Sequence, residues 1–152
     1  MKHLLIVYSS QTGHTEALVR AAVAGIADAG EPVEPQLLRA TDAGIDELLW
    51  ADGLILGTPE NFGYMSGALK DFLDRTYYPA EGRTVGLPYA LLISAGNDGS
   101  GAARAIDRIA TGYGWKRIAE PLIVKGEVDD AALQDSRELG AAMAAGLAAG
   151  IF

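Results

Sequence analysis

The sequence predicts an α/β fold of three layers, in which a five-stranded parallel sheet of order 2-1-3-4-5 lies between helices. Three observations lead there. Apolar, strand-like runs alternate with stretches of helical periodicity, which is how a parallel sheet with crossover helices reads in sequence. Proline placement orders the strands, because a residue without an N–H is tolerated chiefly on an edge or at a strand's first residue. A hydroxyl-rich segment, Ser9 to Glu16, marks the junction of the first strand with the first helix.

Strands are expected near 3–8, 33–38, 53–57, 88–95 and 120–124. The first helix opens near Thr15, sets Leu18, Val19, Ala22, Val23 and Ile26 on one face and stops at Gly30. A short helix around Asp46 to Trp50 fills the second connection. The third helix takes Ser66 as its cap and buries Leu69, Phe72, Leu73 and Thr76. The fourth follows Gly99-Ser100-Gly101 and turns Ala103, Ile106, Ile109, Ala110 and Tyr113 to the sheet. The last begins near Asp129-Asp130 and carries Leu139, Met143, Leu147 and Ile151 at a spacing of four. Pro35 falls inside the second strand, Pro121 near the start of the fifth and Pro88 at the head of the fourth, while the first and third strands have none. Strands 2 and 5 therefore take the edges. In a sheet of that order, the ligand crevice lies beyond the carboxyl ends of strands 1 and 3.

The 152 residues, 49% of them apolar, suit one domain with a core on each face of the sheet. No run approaches a membrane span and Met1-Lys2-His3 leads straight into a strand, so membrane insertion is not expected and a cytoplasmic location is. The absence of cysteine excludes thiol chemistry, and two isolated histidines offer no metal site. A net charge of −8 argues against nucleic acid as a partner but permits docking to a basic redox partner protein.

Ser9-Ser10-Gln11-Thr12-Gly13-His14-Thr15-Glu16 follows the apolar run Leu4 to Tyr8 directly. A strand that stops in such a loop and then turns into a helix aims unsatisfied N–H groups and a positive dipole end at one point, where an anion belongs. Ser9, Ser10, Thr12 and Thr15 supply hydroxyls, and no Lys or Arg lies between Leu4 and Val19. A loop of that chemistry holds phosphate by hydrogen bonds alone. The ordinary alternative is a strand-to-helix turn capped by Thr15. Other phosphate loops are excluded. The chain has no Gly-Lys-Ser/Thr of a Walker loop, only Gly13 where a dinucleotide fingerprint needs three glycines, and no cysteine for a Cys-x5-Arg loop. Thr12-Gly13-His14-Thr15 resembles instead the Thr-Gly-x-Thr loop with which flavodoxins hold the monophosphate of FMN.

Two further loops, 58–65 and 95–101, should reach the same crevice. In Thr58-Pro59-Glu60-Asn61-Phe62-Gly63-Tyr64-Met65, Pro59 stiffens the loop and Gly63 lets backbone approach a flat ring. Phe62, Tyr64 and Met65 offer surface for stacking, unless Phe62 or Tyr64 plugs the core beside the third helix. Gly57-Thr58-Pro59, Gly63, Ser66-Gly67 and Lys70 to Asp74 resemble the flavin-ring loop of NAD(P)H:quinone oxidoreductases of the Trp-repressor-binding-protein type and of NADPH-dependent FMN reductases. In Ala95-Gly96-Asn97-Asp98-Gly99, backbone N–H groups and Asn97 would meet the pyrimidine edge of a flavin, and Asp98 is expected to face water as a turn residue.

The resemblance spans essentially the whole chain and is most specific at 8–16 and 57–75. It implies a flavodoxin-like fold, FMN held by the three loops, NAD(P)H as electron donor and a quinone, flavin or other small molecule as acceptor. Flavodoxins commonly clamp the ring between aromatics of the second and third loops, yet the third loop here has none. An open ring face suits hydride transfer from a stacked nicotinamide. No side chain stands out as a dedicated acid or base. His14 is expected to contribute its backbone N–H with its ring at the surface, Tyr77-Tyr78 to pack, and Arg39, Arg83 and Arg104 to lie on a solvated face. Past Ala119 the chain leaves little room for the segments that quinone oxidoreductases use to form tetramers, and a homodimer follows by analogy with related reductases. Three readings stay open: an NAD(P)H-dependent FMN enzyme, a one-electron carrier of flavodoxin type, and a binding or regulatory module without flavin chemistry. A response regulator is disfavoured, since Tyr8-Ser9-Ser10 stand where it needs clustered acids.

Overall fold

Leu4, Leu5, Ile6 and Val7 have no exposed surface, and the strand they form is an inner strand of the sheet, paired along both sides. The computed structural model describes all 152 residues. Strands β1 (Lys2–Tyr8), β2 (Val33–Arg39), β3 (Gly53–Pro59), β4 (Pro88–Ala95), β5 (Lys116–Arg117) and β6 (Leu122–Lys125) are joined by helices α1 (His14–Ala29), α2 (Ile45–Trp50), α3 (Gly67–Ala80), α4 (Ser100–Tyr113) and α5 (Asp130–Ala149). All strand pairs are parallel, and the order is β2-β1-β3-β4-β5, with β6 also paired to β4.

Side chains of period two split the core into the two expected layers. Leu5, Val7, Leu54, Leu56, Leu91 and Ile93 pack under α2, α3 and α4, whereas Leu4, Ile6, Ile55 and Leu92 pack under α1 and α5. Prolines lie where the sheet tolerates them. Pro35 sits in edge strand β2, opposite Leu4, and Pro88 opens β4.

Two expectations are corrected. The fifth strand is two short segments. The N–H of Ile118 still donates to the Tyr89 carbonyl, the ladder lapses through Pro121, which has no N–H to give, and pairing resumes with Leu122 opposite Leu92. Ile151 is not on the apolar face of the last helix. The chain turns left-handed at Gly150 (φ 67°), so Ile151 is 71% exposed and the ring of Phe152 lies on Gly146 instead.

Helices α1 and α5 meet backbone to backbone. A Cβ on Gly25 would stand 2.0 Å from the Arg137 carbonyl oxygen, and one on Gly140 would stand 2.0 Å from that of Ala22. Backbone cannot yield as a side-chain tip does. Gly25→Ala or Gly140→Ala should cost about 2–3 kcal/mol in urea unfolding. Gly112→Ala, in α4 with nothing within 4 Å of the added carbon, should instead gain about 0.5 kcal/mol.

On the other face, the Tyr113 hydroxyl donates to the Leu73 carbonyl at 2.7 Å, and its ring stacks on Trp115 with centroids 4.2 Å apart. Burial favours the neutral phenol and pushes its pKa up to about 12. The folded state thus holds this proton more tightly than the unfolded chain, whose tyrosines titrate at about 10. The stability it confers is whole below that value and lost as pH climbs toward 12. Urea midpoints measured up the alkaline range should fall for the wild type, and fall less steeply for Tyr113→Phe.

Candidate functional site

β1, β3 and β4 end side by side, and the three sequence-predicted loops leave from those ends. The β1 ladder runs into the first loop, where the N–H of Ser9 donates to the Gly57 carbonyl at 3.1 Å. Gly13 at φ 95° turns the chain into α1, a backbone conformation that costs glycine little. Thr15 is not the cap. That task falls to the Ser10 hydroxyl, which accepts from the N–H groups of Gly13 (3.1 Å) and Glu16 (3.4 Å). The main-chain N–H groups of Ser10, Gln11, Thr12, His14 and Thr15 have no acceptor in the protein. They surround the positive end of the α1 dipole, so the loop fits a phosphate monoester.

The hydroxyls divide. Ser10 and Thr12 remain toward solvent, whereas Thr15 is buried, with its Oγ1 2.8 Å from Ser94 Oγ, and Ser9 Oγ hydrogen-bonds Ser66 Oγ. Both hydroxyls thus tie the loop to its neighbours. His14 is half-buried at the groove edge with its N–H free.

In the second loop, Thr58 is buried and its Oγ1 accepts from the Ser66 N–H at 3.0 Å while donating to the Pro59 carbonyl at 2.8 Å. Ser66 caps α3 as expected, accepting from the Leu69 N–H at 3.2 Å. Between them, Asn61 and Tyr64 exchange two main-chain hydrogen bonds of 2.8 and 3.0 Å. The turn they close consists of Phe62 (φ 52°) and Gly63 (φ 74°), the left-handed pair of a type I′ hairpin. Neither aromatic plugs the core, since Phe62 is fully exposed and Tyr64 is 41% exposed. Met65 does. It lies in the α3 and α4 layer at 2% exposure, which corrects its expected place on the ligand surface.

Glu60 fastens the second loop to the third. Its Oε1 accepts from the Gly99 N–H at 2.9 Å and its Oε2 from the Ala102 N–H at 3.1 Å, so its carboxylate caps α4. The Gly63 carbonyl lies so near Gly101 that a Cβ there would meet it at 2.2 Å. Asn97 and Asp98 are exposed. The Asp98 carboxylate accepts from the Ser100 hydroxyl at 2.8 Å, and that bond holds its pKa below the ordinary carboxylate value. The N–H groups of Gly96, Asn97 and Asp98 have no protein acceptor.

A groove of about 170 Å³ runs between these loops. Gln11, Thr12 and His14 form one wall, Pro59, Glu60 and Asn61 another, and Ser94, Ala95 and Gly96 a third. Gly126, whose N–H donates to the Ala95 carbonyl at 2.9 Å, closes the end. Phe62, Gly63, Tyr64 and Met65 do not line it, nor do Asn97, Asp98 and Gly99. A second hollow of about 180 Å³ lies behind the first loop, beside Ser10, Arg39 and Ser66. Arg39 is not a free cation there, since its guanidinium lies 5.2 Å from the Tyr8 ring centroid and donates to Glu16 at 2.9 Å. The larger crevice of about 250 Å³ between α1 and α5 lies on the helical face, away from the strand ends.

Sequence reasoning missed Gly126, which belongs to a turn whose approach depends on where β6 pairs, and it took Ser94 only as the residue that opens the third loop.

An open parallel sheet of this order, with a hydroxyl and N–H rich loop after its first strand, defines a flavodoxin-like protein. The chain matches the family described as NADPH-dependent FMN reductase over residues 1–114 and belongs to it. It is 32% identical over 130 residues to an NAD(P)H dehydrogenase (quinone) of Paracoccus denitrificans (strain Pd 1222), covering 73% of this chain and 62% of that one. The chain thus spans about three fifths of the length of that curated relative. It is 33% identical over 137 residues to a flavodoxin of Clostridium beijerinckii, covering 89% of this chain and 94% of that one. The solved structure of a flavodoxin from the domain Archaea superposes with a TM-score of 0.85 at 25% identity, covering 95% of this chain and 98% of that one.

Removing the carboxylate of Glu60 uncaps α4 and frees the third loop together. Glu60→Ala should cost about 1–2 kcal/mol. Hydrogen exchange should accelerate at Gly99 and Ala102 before it does in β4; unchanged protection there would show that the brace is dispensable.

Proposed function

We propose that the chain binds FMN in the groove between its three loops and catalyses electron transfer from NAD(P)H to a quinone, a flavin or a similar small acceptor. The observation that carries this reading is the set of acceptor-free N–H groups at residues 10–15. Those of Ser10, Gln11, Thr12, His14 and Thr15, with the Ser10 and Thr12 hydroxyls, would hold the phosphate. Pro59, Asn61 and Gly96 would flank the ring, with N–H groups of residues 96–98 toward its polar edge. When bound, FMN supplies the hydride-accepting chemistry. The overall reaction balances as NAD(P)H, one proton and a quinone giving NAD(P)+ and a hydroquinone. The protein's part is to orient the phosphate and expose one side of the groove. Glu60 is engaged by α4, so the proton is taken from solvent.

The alternative is a one-electron carrier. It is favoured by the match to the Clostridium beijerinckii flavodoxin, which runs over most of both chains.

The two readings separate in one cuvette. Chain loaded with FMN, freed of excess and made anaerobic should bleach on addition of NADPH or NADH without a persistent radical signal, and 1,4-benzoquinone should restore the colour. Colour that neither nucleotide removes, with a stable radical on chemical reduction, would establish the carrier; no retained colour would end both. Gly13→Val, which forces a β-branched residue into the left-handed region, should raise the FMN Kd about tenfold.

A further inference from the structure

The chain has two histidines, and their surroundings differ. His3 is engaged: its ring stacks on Trp50 with centroids 4.3 Å apart, and its Nδ1 donates to the Trp50 carbonyl at 3.1 Å. His14 is not. It is half-buried, lines the groove beside Gln11 and Thr12, and its imidazole has no hydrogen-bond or ion-pair partner in the protein. Folding thus leaves both of its ring nitrogens open to a ligand.

His14 is also the first residue of α1, where side chains lean back toward the N-terminal end of the helix and so toward the loop that would hold a phosphate. No Lys or Arg lies between Leu4 and Val19, so the imidazole is the one group of that loop able to become a cation. The charged groups of the neighbouring elements are already engaged or lie at the groove's end. Glu16 on α1 is held by Arg20 and Arg39, both Glu60 oxygens accept from the N–H groups of Gly99 and Ala102, and Asp98 in the third loop accepts from Ser100. Lys125 and Glu127 flank Gly126, while Asp129 caps α5 through the Ala132 N–H, with Asp130 beside it. Among side chains only imidazole ordinarily changes charge in the neutral range, and a phosphate monoester is doubly charged above about pH 6. A bound phosphate turns the local field negative and favours the imidazolium. The same charge pair then holds the phosphate more tightly.

Resting on the FMN reading above, we propose that the His14 side chain is a proton-linked clamp on the phosphate of FMN: binding draws a proton from solvent onto the imidazole. The sign follows from linkage. FMN favours the protonated form, so the added affinity is present toward pH 6.5 and lost as pH rises.

The test measures Kd by flavin fluorescence on chain freed of cofactor, from pH 6.5 to 8.5, with riboflavin, which lacks the phosphate, as the comparison ligand. Wild type should bind FMN about fivefold more tightly at pH 6.5 than at pH 8.5, and riboflavin equally at both. Calorimetry in buffers of different ionisation enthalpy should find about half a proton taken up per FMN at pH 7. His14→Gln keeps the main-chain N–H, so its Kd at pH 8.5 should lie within about twofold of wild type, and the tightening at pH 6.5 should vanish. His14→Lys, a cation throughout, should bring tight binding to pH 8.5. His3→Gln should keep the wild-type profile, since His3 and the amino terminus lie at the start of β1, about 20 Å along the strand from the groove. A wild-type Kd for FMN that does not change with pH overturns the proposal, as does a pH dependence that persists in His14→Gln or one that riboflavin shares. If wild type holds no FMN at any pH, the FMN reading fails first; FMN held with no pH dependence leaves that reading standing and removes only this one.

Discussion

The free N–H groups of residues 10–15 exist because other groups carry every structural task at the strand ends. A loop that had to brace itself would spend its donors on its own carbonyls. Here Ser9 reaches Ser66, Thr15 reaches Ser94, and Ser10 caps α1, so hydroxyls beneath the loop fix its shape while its backbone stays uncommitted. Thr58 and Ser66 repeat the device under the second loop, and Glu60 extends it to the third. The donors are thus aimed before any ligand arrives, and little ordering is left for binding to offset.

Charge is the second constraint. The chain carries −8, and the loop has no basic residue to attract an anion. At physiological ionic strength charges beyond about 8 Å are largely screened, so what matters is local. The nearest acidic group on α1 is Glu16, in its first turn, where an unpaired carboxylate would oppose a phosphate. Arg20 at 3.0 Å and Arg39 at 2.9 Å hold both of its oxygens. The pairs are exposed and contribute little to stability. Their larger effect is to leave the helix dipole and the N–H groups as the local field.

Much of this was legible in the sequence. The order of the sheet followed from apolar runs and from Pro35 and Pro88, because a missing N–H constrains a strand wherever it falls. The first loop followed from residue type and position. What escaped depended on direction. Alternation says that Thr15 is in a helix but not that its hydroxyl faces Ser94. Among Phe62, Tyr64 and Met65, composition offers no means of telling that the methionine goes inward while the aromatics stay out. Glu60 reads as a surface acid, and only the approach of α4 turns it into a cap. Pro121 was read as a mark of an edge strand, yet it lies in a break, since proline is equally compatible with a strand start and with a gap.

The lack of an aromatic in the third loop, on which the open side of the groove depends, has a packing cause. Gly99 is left-handed at φ 89°, and a Cβ there would stand 2.4 Å from Ile123 Cγ2. A Cβ on Gly101 would strike the Gly63 carbonyl at 2.2 Å. Asp98 is committed to Ser100. The loop thus lies flat between β6 on one side and the Phe62 hairpin on the other, and only Gly96 and Asn97 have freedom to carry a larger ring. The same closeness that brings Glu60 onto α4 removes the space a clamp would need. Tight docking of the second loop on the fourth helix and an uncovered third loop are two consequences of one contact.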